Sequence, residues 1–160
     1  MPSHAGGETL TPLGQYFSQL GYVVTDTEKA VAAFEALGVT GFKSLVGGGD
    51  EYLDQDGKRA VADKVKVTFG QLGPIQIELV EPLSGGNIYT EFLERSGPGL
   101  HHTGFAIPDH DEYRAQYQRL LDAGAVLLKG RRIEGSINVD FAYFDCSGFQ
   151  GGVVELMHFF

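Results

Sequence analysis

Four polar residues of this 160-residue chain are candidates for joint chemistry, namely Gln19, Glu78, His102 and Glu155. Glu78 and Glu155 each stand within an apolar run typical of a strand, where an unpaired carboxylate is costly to bury. Two carboxylates, an imidazole and an amide oxygen form a ligand set suited to a divalent ion. The four residue types therefore predict one divalent metal ion per site, with zinc, nickel, cobalt and manganese all left open.

An internal repeat places these residues at equivalent positions in the two halves of the chain. Residues 19–26, QLGYVVTD, align with residues 102–109, HTGFAIPD, at an offset of 83 residues. Residues 77–80, IELV, align with residues 154–157, VELM, in the same order. Each half thus contributes one ligand candidate from its first strand and one from its last strand.

Strand alternation predicts which side chains share a face with the candidates. Gln19 lies on the face of Gly21, and His102 lies on the face of Gly104, so small neighbours leave room for a cavity. By the same alternation, His101 points away from His102. A lone strand histidine or glutamate is more often structural, so it is the symmetric placement of all four residues that favours a metal site.

The hydrophobic pattern divides the chain into two similar modules. Each half shows a strand, a helix and three further strands, and the helices are predicted at residues 28–37 and 110–123. Residues 47–60 are predicted to be a polar loop. The basic cluster 129–132, KGRR, is predicted to be a solvated loop, and binding of a carboxylate or a phosphate is its alternative role. The predicted organisation is a flexible N-terminal arm (1–14), a first βαβββ module (15–83), a linker with a short helical piece (84–99) and a second βαβββ module (100–160).

Composition narrows the class of partner. Twelve Lys and Arg residues against 21 Asp and Glu residues give a formal charge of −9, which argues against binding to nucleic acid or to anionic membranes. A single cysteine, Cys146, excludes an internal disulfide and favours a reducing compartment. With no secretory signal or apolar span in view, we expect a cytoplasmic protein that binds a small-molecule substrate.

The C-terminus suggests how the chain assembles. It ends in the apolar pair Phe159 and Phe160, which is unusual for a free terminus. Sheet edges also favour pairing between chains. We therefore expect a symmetric homodimer with both rings at or near its interface.

The strand motifs resemble those of the vicinal oxygen chelate superfamily, which includes glyoxalase I, methylmalonyl-CoA epimerase, type I extradiol dioxygenases, and fosfomycin- and bleomycin-resistance proteins. Residues 97–105, GPGLHHTGF, are similar to the ligand strand of the epimerases, and residues 77–83, IELVEPL, to the strand before it. The resemblance covers residues 16–159. It implies an α+β fold in which two tandem βαβββ modules form a curved mixed sheet around a metal cavity.

The ligand candidates look like the set found in the eukaryotic type of glyoxalase I. The resemblance implies that Gln19, Glu78, His102 and Glu155 are the metal ligands. It also implies a metal-dependent lyase or isomerase (epimerase) that chelates a small substrate through two vicinal oxygens and stabilises an enolate. Glu155 or Glu78 would remove the proton, with Asp63 and Asp140 as weaker candidates.

Two other activities stay open at this stage. One is a non-catalytic small-molecule binding protein of the bleomycin-resistance type, which would need no metal. The other is a ring-cleaving dioxygenase-like enzyme, although extradiol dioxygenases use two histidines and one carboxylate and this chain has Gln19 in place of the first histidine.

The resemblance stops short of a particular substrate. Val23, Pro82 and Pro98 stand where glyoxalase I proteins with this ligand set carry an Arg, an Asn and an Arg for glutathione. Residues 144–148, FDCSG, replace the His-Pro-Lys-like stretch typical of the epimerases, which bind coenzyme A esters. Five aromatic residues near the expected pocket could receive an apolar substrate or belong to the core: Tyr22, Phe69, Phe141, Tyr143 and Phe144.

Overall fold

The computed structural model describes residues 11–53, 57–149 and 152–160, so residues 1–10 of the predicted arm lie outside the described part. The first described residues include a short 3-10 turn, Leu13–Tyr16. The strands are β1 Phe17–Val23, β2 Thr40–Gly47, β3 Glu51–Leu53, β4 Arg59–Val61, β5 Val65–Leu72, β6 Ile75–Pro82, β7 Gly99–Ala106, β8 Val126–Ile133, β9 Val139–Asp145 and β10 Val153–Phe159. The helices are α1 Thr27–Ala36, α2 Ile88–Ser96 and α3 His110–Asp122. Within the described ranges, none of these helices is long and apolar enough to cross a membrane.

Eight strands form one mixed sheet in the order β2-β5-β6-β1-β7-β10-β9-β8. β1 pairs parallel with β6, and β7 pairs parallel with β10 in the same way. The first strands of the two modules, β1 and β7, pair antiparallel at the centre of the sheet. The sequence repeat is thus a structural repeat, and the predicted α+β fold with a curved mixed sheet is confirmed.

The outer face of the curved sheet carries the main hydrophobic core. In the first half, Ile77 and Leu79 pack with α1, whose N-cap Asp26 accepts a hydrogen bond from the backbone of Lys29. In the second half, Phe144 and Leu156 pack with α3. These strand residues alternate with the polar candidates, so burying the apolar set against the helices turns the polar set to the inner face.

Two aromatic residues expected near the pocket belong to this outer core. The ring of Tyr22 contacts Phe34 of α1 at 4.9 Å between centroids, and the ring of Phe144 contacts Tyr117 of α3 at the same distance. Strand alternation explains the difference, because both residues lie next in sequence to residues of the inner face.

The predicted helical piece in the linker is α2, and it packs on the inner face. It begins with a capping box at Asn87. Tyr89 of α2 forms a buried cluster with Val23 of β1 and Val80 of β6. One end of the concave surface is therefore covered by a helix supplied by the segment that joins the modules.

Two segments predicted to be loops contain strands, and residues 54–56 of the first segment lie outside the described part of the chain. Residues 47–60 include β3 and most of β4, which pair antiparallel with Tyr52 opposite Ala60. Residues 129–132 lie within β8, because the pairing with β9 continues as far as Ile133 opposite Val139. Their polar composition suggested loops, but short edge strands tolerate charged side chains well.

The C-terminal rings lie at the end of β10. Phe159 is 53% exposed and Phe160 is 50% exposed. The guanidinium of Arg132 stacks on the ring of Phe160, 4.6 Å from its centroid. The homodimer stays a prediction.

Candidate metal centre

The four ligand candidates lie on the four central strands of the sheet. Gln19 is on β1, Glu78 on β6, His102 on β7 and Glu155 on β10, and all four are buried. Because these strands are neighbours and all four side chains point to the inner face, the sequence-predicted residues come together at one place.

Three oxygen atoms converge on one imidazole nitrogen. Nε2 of His102 lies 3.0 Å from Oε2 of Glu78, 3.2 Å from Oε1 of Gln19 and 3.3 Å from Oε2 of Glu155. That nitrogen carries at most one hydrogen, so it can donate to only one of the two glutamate Oε2 atoms, and no other donor among the described residues reaches either of them. Two buried carboxylate oxygens that share a single donor, facing an imidazole, fit a divalent cation. Among the described residues, Glu78, His102 and Glu155 form a group that could hold one.

The amide of Gln19 is held in the orientation that such a site needs. Its Nε2 donates a hydrogen bond of 2.8 Å to Oε1 of Gln76, so its Oε1 faces His102. Gln76 lies opposite Gln19 in the β1–β6 pairing and two residues before Glu78. Sequence reasoning missed Gln76, although its alternation with Glu78 was a usable signal.

Two glycines make room for the ligand candidates. A Cβ atom at Gly21 would overlap the imidazole of His102, and a Cβ at Gly104 would lie 2.8 Å from Oε1 of Gln19. The small neighbours leave room for the candidate side chains themselves, since each glycine opposes the candidate of the other module. An open cavity beside them stays a prediction.

Replacing Gly21 with alanine is expected to displace His102 and to weaken metal binding by more than about tenfold, with a loss of about 1–3 kcal/mol in stability from overpacking. Gly104→Ala should have a smaller effect, because the side chain of Gln19 can shift. Calorimetric metal titration and thermal unfolding provide the measurements. Gly99→Ala is the matched control, since a Cβ there meets no atom within 4 Å. Equal metal affinity in Gly21→Ala and Gly99→Ala would contradict the arrangement.

His101 contacts the metal centre, so the prediction that it points away from His102 is wrong. Gly21 pairs with His102, whereas Tyr22 pairs with Leu100, so His101 is the extra residue of a β-bulge. A bulge interrupts strict alternation and re-aims a side chain. As a result Nδ1 of His101 lies 2.9 Å from Nδ1 of His102. The sequence contains no clear signal for this bulge.

Burial and charge set the protonation of the two histidines in opposite directions. For His102, burial lowers the pKa, but hydrogen bonds to Glu155 and Glu78 outweigh it and raise the pKa to about 10. For His101, burial and the positive charge of His102 lower the pKa to about 3. His101 is therefore neutral, and its Nδ1 can accept a hydrogen bond from Nδ1 of His102. That bond leaves Nε2 of His102 directed at the three oxygens.

Two tyrosines line the second-module side of the centre. The ring of Tyr143 lies 5.0 Å from that of His102, and the hydroxyl of Tyr89 donates a hydrogen bond of 3.2 Å to the hydroxyl of Tyr143. Burial raises the pKa of both tyrosines, so both keep their protons at neutral pH. Burial also raises the pKa of Glu155, an effect that hydrogen bonds to His102 and Tyr143 partly offset.

The two weaker base candidates do not join the cluster. Asp140 lies on the outer face, where it accepts hydrogen bonds from Arg132 at 2.6 and 2.7 Å. Asp63 forms an ion pair with Lys129 of β8. In contrast, Phe69 pairs with Glu78 across the β5–β6 ladder and shares the inner face.

Comparisons with known proteins give a family and a fold. Residues 18–143 match the sequence model of the glyoxalase/bleomycin resistance protein/dioxygenase superfamily. An uncharacterized protein of Bacillus subtilis, YqjC, is 34% identical over 93 residues, which are 58% of this chain and 64% of that protein. The chain thus aligns with less than two thirds of this relative's length.

Solved structures of epimerases share the fold. The methylmalonyl-CoA epimerase from Mycobacterium tuberculosis is 21% identical with a TM-score of 0.62, and the match covers 97% of this chain and 93% of that chain. The Streptomyces coelicolor methylmalonyl-CoA epimerase in complex with 2-nitronate-propionyl-CoA is 20% identical with a TM-score of 0.62, covering 89% and 93%.

Proposed function

The chain belongs to the glyoxalase/bleomycin resistance protein/dioxygenase superfamily, and we propose that it is a metal-dependent isomerase or lyase of the glyoxalase-like class. Its substrate is a small molecule with two vicinal oxygen atoms. The observation that carries the proposal is the pair of buried carboxylate oxygens, of Glu78 and Glu155, that share the single N–H of His102 Nε2 as their donor. A divalent ion relieves both charges at once.

Gln19, Glu78, His102 and Glu155 would hold the ion. The ion, when bound, supplies Lewis-acid stabilisation of an enolate. Gln76 and His101 orient Gln19 and His102 through their hydrogen bonds. The two carboxylates, the imidazole and the amide oxygen suit zinc, nickel, cobalt or manganese.

Glu155 is the base in this proposal, and it removes a proton from the carbon next to the substrate carbonyl. Its burial favours the protonated form, so the carboxyl can hold a proton between removal and return. The hydroxyl of Tyr143 is hydrogen-bonded by Tyr89 and leaves its own hydrogen for Glu155.

The position of Glu78 supports an isomerase over a simple binding site. Glu78 and Glu155 lie on β6 and β10, on opposite sides of the central β1–β7 pair. In an isomerase of this kind, one carboxylate would remove the proton and the other would return it to the opposite face, which would invert the configuration at the carbon.

Metal analysis of the purified protein tests the proposal. After incubation with zinc, nickel, cobalt or manganese and removal of free metal, we expect one tightly held ion per chain by plasma mass spectrometry. If the protein retains no stoichiometric ion under any of these conditions, the proposal of a metal-dependent enzyme is contradicted. That result would then favour a metal-free binding protein of the resistance type.

A further inference from the structure

Arg131 lies on the inner face of the sheet, beyond the ligand candidates. It pairs with Phe141 of β9, which pairs in turn with Met157 of β10, two residues after Glu155. Phe141 and Tyr143 contact each other on the inner face, 5.9 Å between centroids. By the spacing of neighbouring strands, the Cα atom of Arg131 is about 10 Å from that of Met157. An arginine side chain at this position is long enough to extend toward the metal centre.

The guanidinium of Arg131 has no carboxylate partner among the described residues. Its Nε is buried without a hydrogen-bond acceptor, and its central carbon lies 4.5 Å from the ring centroid of Tyr52 on β3. The other cations of β8 are paired, since Lys129 binds Asp63 and Arg132 binds Asp140. A buried guanidinium N–H without an acceptor is costly, which indicates that this side chain is kept for an anion.

The balance of charges on the inner face also indicates that Arg131 binds an anion. An ion of charge +2 balances the carboxylates of Glu78 and Glu155, and Asp63 balances Lys129. The positive charge of Arg131 is then left uncompensated. The planar fork of a guanidinium matches a carboxylate through two parallel hydrogen bonds.

We infer that the substrate carries a carboxylate remote from its two vicinal oxygens and that Arg131 binds this carboxylate. The inference rests on the proposed function, because it places the remainder of the substrate at the metal centre. It defines the substrate class as a small compound with two vicinal oxygens at one end and a carboxylate at the other. Arg131 is thus a specificity-determining residue.

Length-matched pairs of 2-oxo acids provide the test. Each pair shares the 2-oxo acid end and differs only in a terminal carboxylate or methyl group: 2-oxosuccinate with 2-oxobutanoate, 2-oxoglutarate with 2-oxopentanoate, and 2-oxoadipate with 2-oxohexanoate. Binding to the cobalt-loaded protein is measured by calorimetry and by the visible spectrum of the cobalt ion. In one of the three pairs, we expect the dicarboxylate to bind at least about tenfold more tightly than the matched monocarboxylate, which is the gain expected from a charge-assisted hydrogen bond.

Variants of Arg131 assign that preference. Arg131→Met should bring the affinity ratio of the preferred pair to about 1 and leave the affinity for the monocarboxylate unchanged. Arg132→Met is the matched control, because Arg132 is the next residue of β8 and pairs on the outer face with Asp140. That variant should keep the wild-type ratio.

The possible results separate the inference from the proposed function. A ratio near 1 at all three lengths in the wild-type protein overturns the inference, as does a ratio unchanged by Arg131→Met. Equal weakening of both members of a pair in Arg131→Met also overturns it, because Arg131 would then only hold the hairpin that carries Tyr52. A protein that takes up no cobalt fails earlier, at the metal titration, and overturns the proposed function together with the inference.

Discussion

Replacing His102 with alanine is expected to reduce metal affinity by more than about 100-fold. Loss of an outer partner of a ligand already costs about 10- to 100-fold, and His102 supplies the only nitrogen that would bind the ion among the four candidates. The imidazole also fixes the spacing of the oxygens, since Glu78, Gln19 and Glu155 all converge on its Nε2. Calorimetric titration with zinc and cobalt measures the change.

The same substitution should lower stability, so a second variant is needed. Without His102 the carboxylates of Glu78 and Glu155 lose their neighbouring cation, and breaking a buried ion pair costs about 3–5 kcal/mol. His102→Gln keeps a polar group in the cavity and should fold better while still binding metal weakly. His158→Ala removes another buried histidine, one that contacts the backbone oxygen of Ile107, and should leave metal affinity unchanged. If a folded His102→Gln protein bound metal with the affinity of the wild type, the four residues would have a structural role and would not be the metal ligands.

Replacing Glu155 with glutamine is expected to lower the rate of proton transfer by about 10²- to 10⁴-fold, the usual contribution of a general base. The amide keeps an oxygen for the ion, so a large part of the metal binding should persist. The assay is deuterium incorporation from D₂O, followed by NMR, at the carbon next to the carbonyl of a 2-oxo acid, with the protein saturated with metal.

Glu78→Gln is the matched control for this experiment. It removes the other buried carboxylate, which lies 3.0 Å from the same nitrogen. Exchange at one face of the carbon requires only one base, so Glu78→Gln should retain more exchange than Glu155→Gln, while any inversion of configuration is lost in both. Exchange in Glu155→Gln within threefold of the wild-type rate would remove Glu155 from the role of base.

The main features of the fold and the centre were predictable because they follow from periodicity. Apolar residues on one side of each strand had to be buried against the two amphipathic helices, so the alternate residues had to share the other face. The repeat then related Gln19 to His102 and placed Glu78 and Glu155 in equivalent strands. Parallel pairing of β1 with β6 and of β7 with β10 brings these positions together.

The remaining features depend on long-range geometry that local pattern does not encode. His101 joins the centre through a one-residue bulge opposite β1, and strict alternation cannot anticipate a bulge. The polar composition of residues 129–132 suggested a loop, yet pairing with β9 extends β8 and turns Arg131 inward. Tyr22 lies beside the inner-face residue Gly21, but its ring packs on α1.

Gly21 and Gly104 each face a ligand candidate of the other half of the chain, and this arrangement affects how the two halves are joined. Gly21 in the first half leaves space for His102 of the second half, and Gly104 leaves space for Gln19. The centre therefore exists only when the halves are docked, and an ion bound there would join residues distant in sequence, as a cross-link does. Because the ion would bind only the docked halves, its binding free energy would stabilise the joint between them. A mutation in one of the two repeated modules would thus also change the stability of the other module.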